Sequence, residues 1–378
     1  PGPFSPPMAP DPTGIYVHLP FCRVKCSYCA FAVSTDLRLE EAYGEALVRE
    51  IERRAPRGAP ADTLFWGGGT PSRSAFEWLA RFDGAVRGRF ALAPDAEVTL
   101  EANPEDVDER AIAAWSALGV NRLSIGVQSL HEDELRPLGR IHGPARALEA
   151  LDTAVASGLR VSADLILGLP GQTVASCVES VDGVLRRGIG HLSMYMLDLE
   201  PGSALESRVA RGVVTLPEDE DVADMYLAAI DRAASAGLEQ YEISNFARPG
   251  ERSAHNLRYW ERRSYAGFGA GAHSFEGTRR KGNTKDVRAY IDAIARDEEP
   301  VVMVEDLDAR AEAHERIFLA LRRTEGIGYP DLIEWADGDG RGWCERGMEQ
   351  GWLEMIGERI RFTPRGFLVS SELVAQLF

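Results

Sequence analysis

Six short apolar runs, the first five each leading into a stretch of helical spacing, limit most strongly how this chain can fold. They are "GIYVHLPF" (14–21), "DTLFWGGG" (62–69), "AEVTLEANP" (96–104), "RLSIGVQS" (122–129), "RVSADLILGLP" (160–170) and "HLSMYMLDL" (191–199). Helical spacing follows at 40–55, 74–86, 106–118, 143–157 and 175–187. A strand-then-helix rhythm kept up this long predicts a parallel sheet with helices outside it. Right-handed crossovers curl such a sheet toward a barrel, here a partial, TIM-like (βα)6 barrel over 14–205. Thr70-Pro71 reads as an N-cap with proline at N1, opening the helix after the second strand.

The rhythm breaks near residue 206. A long amphipathic helix is expected at 218–236, with the acidic run 218–221 as its first turn. Glycine- and aromatic-rich segments then read as loops and short strands to about 307. Helices at 308–323, 330–336 and 341–350, a hairpin through "WLEMIGERIRFTPRG" and a last helix 366–377 predict a winged-helix-like module over 308–378. Residues 1–13 are proline-rich and expected to be disordered; those before Met8 read as an extended start or a remnant.

No apolar run reaches the ~20 residues needed to span a membrane, and no secretion signal is read at the N-terminus. A net charge of −17 repels phosphate backbones and argues against nucleic-acid binding. Three of the five cysteines fall in "HLPFCRVKCSYCAFAV": Cys22, Cys26 and Cys29, spaced C-x3-C-x2-C. That is no disulfide framework. It suits a reducing compartment, and the expected location is the cytoplasm. A structural zinc wants four protein donors. A [4Fe–4S] cube held by three thiolates keeps one iron open for a small molecule. Zinc stays open as the alternative, with His18 as the one histidine near enough to fold back. Cys177 and Cys344 read as small buried hydrophobes.

Polar residues recur where the strands end: Gly68, Gly69 and Thr70, then Glu101, Gln128 and Asp164, with Arg140 farther on. Acids inside a barrel need a partner. Together these groups suit a ligand with an ammonium, a carboxylate and ribose hydroxyls, as in S-adenosylmethionine (SAM).

On "YVHLPFCRVKCSYCAF", "FWGGGTPS", "LEANPE", "LSIGVQS", "LGRIH", "DLILGLPGQT", "YEISNFARPG" and "HNLRYW", the chain resembles the HemN/HemW branch of the radical SAM superfamily over nearly all of 14–378. The resemblance implies that Cys22, Cys26 and Cys29 hold a [4Fe–4S] cluster, with Tyr16 and Tyr28 close by. In such proteins the reduced cluster splits SAM into methionine and a 5′-deoxyadenosyl radical. The resemblance also implies that Gly68, Gly69, Thr70 and Glu101 meet the SAM amino end, Arg140 its carboxylate, and Gln128 and Asp164 its ribose.

Oxidases of this branch carry a further cysteine where Phe31 stands, and a longer segment before the first strand. Both departures point to the haem-carrier side of the branch. "HNLRYW" matches the carriers' H-N-x-x-Y-W motif in full, as His255, Asn256, Tyr259 and Trp260. An imidazole can ligate haem iron, and flat aromatics can lie on a porphyrin face. Arg258, Arg262 and Arg263 are candidates for its propionates, and His273 is a second candidate ligand. The implied function is a haem chaperone that serves membrane-associated haem proteins of respiration. Coproporphyrinogen III oxidation is the alternative. A homodimer and at most peripheral membrane association are left open. The basic "TRRKGN" (278–283) reads as a solvated loop.

Overall fold

The computed structural model describes residues 11–378, so most of the proline-rich tail lies outside the described residues. The six apolar runs form six parallel strands: β1 (Thr13–Leu19), β2 (Ala59–Gly68), β3 (Phe90–Ala102), β4 (Arg122–Gln128), β5 (Arg160–Leu167) and β6 (His191–Met196). They lie side by side in sequence order as the middle of a twelve-stranded sheet. Beyond β1 the sheet continues through Tyr265–Phe268, His273–Glu276, Arg279–Asn283 and Val301–Asp306; beyond β6, through Asn245–Ala247 and Glu239–Gln240. This is a partial, TIM-like (βα)6 barrel.

Alternation decides what each face does. On β4, Leu123, Ile125 and Val127 are fully buried against the helices, whereas Arg122, Ser124, Gly126 and Gln128 face the barrel interior and line one cavity. The apolar sides of the strands and the helices share a continuous core, from Ile15 and Val17 through Leu64 and Leu151 to Phe246. Cys177 and Cys344 are part of it, 1% and 0% exposed. At the C-terminal end, helices Ala309–Leu321, Tyr329–Trp335 and Gly340–Glu349 pack with a three-stranded antiparallel sheet as a winged-helix-like module.

Several elements differ from expectation. Thr70-Pro71 opens only a 3₁₀ turn, Pro71–Arg73, and Ser74 is extended; the helix starts at Phe76. The Thr70 hydroxyl is not a cap but donates toward Cys22 Sγ at 3.3 Å. "HNLRYW" is not a loop but most of a helix, Ala254–Trp260, capped by Ser253. The last helix breaks at Val369 into Pro364–Leu368 and Ser370–Ala375. "TRRKGN" contains a strand whose charges are answered: Arg279 by Asp306, Arg280 by Glu305 and Glu315, Lys281 by Glu299. Helix Glu132–Leu138 lies outside the expected elements: it is short, contains Pro137 and stops at a left-handed Gly139. No helix among the described residues is long and apolar enough to cross a membrane.

Candidate functional site

The cysteine loop leaves β1 at Leu19 and is tied at its neck and its tip. At the neck, Ser34 N–H donates to Pro20 O (2.8 Å) and Cys22 N–H to Ser34 O (3.0 Å). Near the tip, Ser27 donates its N–H to Leu138 O and its hydroxyl to Pro137 O, both at 2.9 Å. Tyr28 packs on Leu138, Ile166, Leu169 and Leu205. The loop therefore covers the C-terminal ends of the strands, where sites of such barrels sit.

Beneath it lies a cavity of about 540 Å³. Cys22, Cys26 and Cys29 line it together with Tyr16, Tyr28, Gly68, Gly69, Thr70, Glu101, Gln128, Arg140 and Asp164, so one cavity gathers every residue assigned above to cluster or SAM. Gly68 adopts φ 124° and its N–H donates to Glu101 Oε2 at 3.0 Å. Burial raises the Glu101 carboxyl to about 7. Asp164 accepts from Ser124 Oγ (2.8 Å) and Ser162 Oγ (3.2 Å). Arg140 donates to Asn103 Oδ1 and Gly126 O, both at 2.8 Å, and points Nη1 at Cys26 Sγ at 3.7 Å. Gln128 holds a left-handed backbone, φ 66°, unusual for a residue with a side chain; such strain concentrates at functional sites.

The donor set can be tested against zinc. Among the described residues, no three His, Cys, Asp or Glu side chains converge closely enough to hold a single ion. His18 is committed elsewhere: Nε2 bonds Ala32 O at 2.8 Å and Nδ1 the Tyr16 hydroxyl at 3.0 Å. Three thiols on one loop are the number that a cube with one open iron would take.

The motif helix reaches the same cavity. His255, Asn256 and Tyr259 line it; Trp260 does not. The helix is fixed at its N-terminus, where Glu97 accepts from Ala254 N–H (3.0 Å) and His255 N–H (2.9 Å). His255 is 1% exposed, and both ring nitrogens are engaged: Nδ1 with Thr63 Oγ1 and Nε2 with the Tyr259 hydroxyl, each at 2.8 Å. Burial lowers its pKa to about 3, so the ring is neutral. A hydrogen-bonded chain also joins the two parts of the site. Ser162 Oγ meets His191 Nδ1 (2.7 Å), His191 Nε2 meets the Tyr241 hydroxyl (2.8 Å), and that oxygen accepts from Ser253 N–H (3.3 Å). If Ser162 donates to the Asp164 carboxylate, one neutral tautomer, Nδ1–H, satisfies every group along the chain.

The arginines assigned to propionates are not available. Arg258 is fully buried and paired with Asp62; Arg263 also pairs with Asp62; Arg262 pairs with Glu312 and Glu315. His273 is exposed, lies over Gly282 and does not line the cavity. Phe31 is 68% exposed at the cavity rim.

The model of the Radical SAM superfamily matches residues 16–183. The chain is 38% identical to the heme chaperone HemW of Mycobacterium tuberculosis, over 98% of this chain and 96% of that protein. It is 36% identical to the heme chaperone HemW of Bacillus subtilis, over 84% and 86%. Among solved structures, the radical SAM enzyme coproporphyrinogen III oxidase (HemN) from Escherichia coli superposes with a TM-score of 0.82 at 23% identity, covering 96% of this chain and 89% of that one, a likeness of fold. Full-length similarity of this degree places the chain in the HemW family of the radical SAM superfamily.

Proposed function

We propose that this protein is a haem chaperone that carries a [4Fe–4S] cluster and SAM and hands haem to membrane-associated haem proteins. The observation that carries the reading is convergence: the three-thiol loop, the polar strand ends and the motif helix all face one cavity. Its relatives' names, heme chaperone, support it.

Cys22, Cys26 and Cys29 would hold the cluster. Burial raises the Cys22 and Cys29 thiols, so a cationic iron centre is what draws off their protons. Thr70 and Arg140 stand ready to donate to the resulting sulfur anions. Gly68, Gly69, Thr70 and Glu101 would meet the SAM amino end, Arg140 its carboxylate, Gln128 and Asp164 its ribose. When bound, cluster and SAM supply one-electron chemistry.

A protonation consequence follows for Glu101. Its folded-state pKa is raised, so the carboxylate that would pair with the SAM ammonium is present above about 7 and lost below it. SAM affinity of the reconstituted protein is therefore expected to fall as pH drops from 8 to 6, and to fall much less in Glu101→Gln. Equal pH dependence in both would remove Glu101 from SAM binding.

Haem would contact His255, Asn256 and Tyr259. The neutral imidazole is the ligating form, and Nε2 becomes available when Tyr259 releases it. Haem titration followed at the Soret band tests this. His255→Ala is expected to weaken haem binding about tenfold or more, ~1.4 kcal/mol, with iron and sulfide unchanged. Unaltered affinity would detach the motif from haem. An anaerobic assay with reductant, SAM and coproporphyrinogen III is expected to yield no protoporphyrinogen; turnover at a catalytic rate would make the protein an oxidase instead.

A further inference from the structure

Arg122 opens β4 and shares its inward face with Ser124, Gly126 and Gln128. It is 2% exposed, yet among the described residues no ion pair or side-chain hydrogen bond engages its guanidinium, and it lines the cavity. The other fully buried arginine, Arg258, is neutralised by Asp62. Glu101 and Asp164 feel Arg122 through space but do not bond it. Its register partner on β3, Thr99, also has a buried hydroxyl without a partner. Thr99 shares its face of β3 with Glu97, which holds the N-terminus of the motif helix, so Arg122 lies toward that helix. There Asn256, whose side-chain amide also has no bond among the described residues, lines the cavity.

A buried guanidinium without a bonded partner is costly, and Glu101 and Asp164 ease that only at a distance. Its planar fork matches a carboxylate with two parallel N–H bonds. With two acids on the same cavity, a single negative charge suits it better than a phosphate. We infer that Arg122 and Asn256 form a carboxylate-binding subsite at the inner end of the cavity, separate from the Arg140 end. Its occupant is a haem propionate or a small free carboxylate. Only the haem source rests on the function proposed above.

The test uses the full chain with its cluster reconstituted. Haem and haem dimethyl ester, whose propionates are masked, are titrated into the wild type and Arg122→Gln; sodium propionate is scored separately by thermal denaturation. A propionate source predicts that the wild type prefers haem to the ester about tenfold, a preference lost in the variant. A free-carboxylate source predicts no such preference, but stabilisation by propionate of the wild type and not of the variant. A wild type that binds no haem would sink the haem reading while the propionate arm still decides the subsite. Arg122→Lys keeps the charge without the fork and should retain part of the effect; if Arg122→Gln does not fold, it serves as the comparison. The subsite is overturned if propionate stabilises neither protein and any preference for haem over its ester is the same in wild type and variant.

Discussion

Cys26→Ala and Cys22→Ala are each expected to abolish cluster assembly, with iron and sulfide falling from about four of each per chain to background and the visible charge-transfer absorbance lost. Each iron of a cube takes one outside ligand, and the loop offers three thiols, while His18 at its base is committed to Tyr16 and Ala32. Losing one leaves two irons without a protein ligand. The contrast is with Cys177 and Cys344. Both are buried in the core, and burial pushes their thiols up to about 12, so Cys177→Ala and Cys344→Ala should keep full iron content at some cost in stability. Unchanged iron and sulfide in Cys26→Ala would mean that the loop does not hold the cluster.

Gly69→Ala is expected to reduce iron content to the level of the cysteine variants while all three cysteines remain. A Cβ at this position would stand 2.6 Å from the Pro20 carbonyl carbon and oxygen and 2.9 Å from Cys22 Sγ. Pro20 cannot yield cheaply, because its carbonyl accepts from Ser34 N–H at the neck of the loop, and Gly69 N–H itself donates to Leu19 O at 2.9 Å. One methyl group therefore spreads β2 from the loop and displaces Cys22. Circular dichroism should stay near native, as the core strands are untouched. Gly84→Ala is the control: it sits in a helix with nothing within 4 Å of the added carbon, and should be neutral or stabilising by about 0.5–1 kcal/mol. Normal iron content in Gly69→Ala would show that the loop and β2 need not touch.

The parallel strands were legible because burial on the helix side makes each a near-continuous apolar run. The residues expected to hold cluster and SAM stood out because polar groups at strand ends have little structural reason to be there, and the structure gathers them around one cavity. What the sequence hid depends on distant partners. Arg258 looks like a free charge beside the motif, but Asp62, 196 positions away, neutralises it. The helix of the motif is short and rests on Glu97 from β3 as much as on its own Ser253 cap. Trp260 matches the motif yet, as the last residue of the helix, falls outside the cavity that Asn256, one turn earlier, still lines. Arg122 passed unnoticed because a charge at the start of a strand reads as solvated; only its inward face and its lack of a partner mark it.

Metal and sulfide analysis of the full chain reconstituted without oxygen, followed by electron paramagnetic resonance of the reduced sample with and without SAM, bears most directly on a cube held at three corners. About four irons and four sulfides per chain are expected, with a spectrum that changes on adding SAM. Stoichiometric zinc in the loop, or a four-iron spectrum indifferent to saturating SAM, would contradict it.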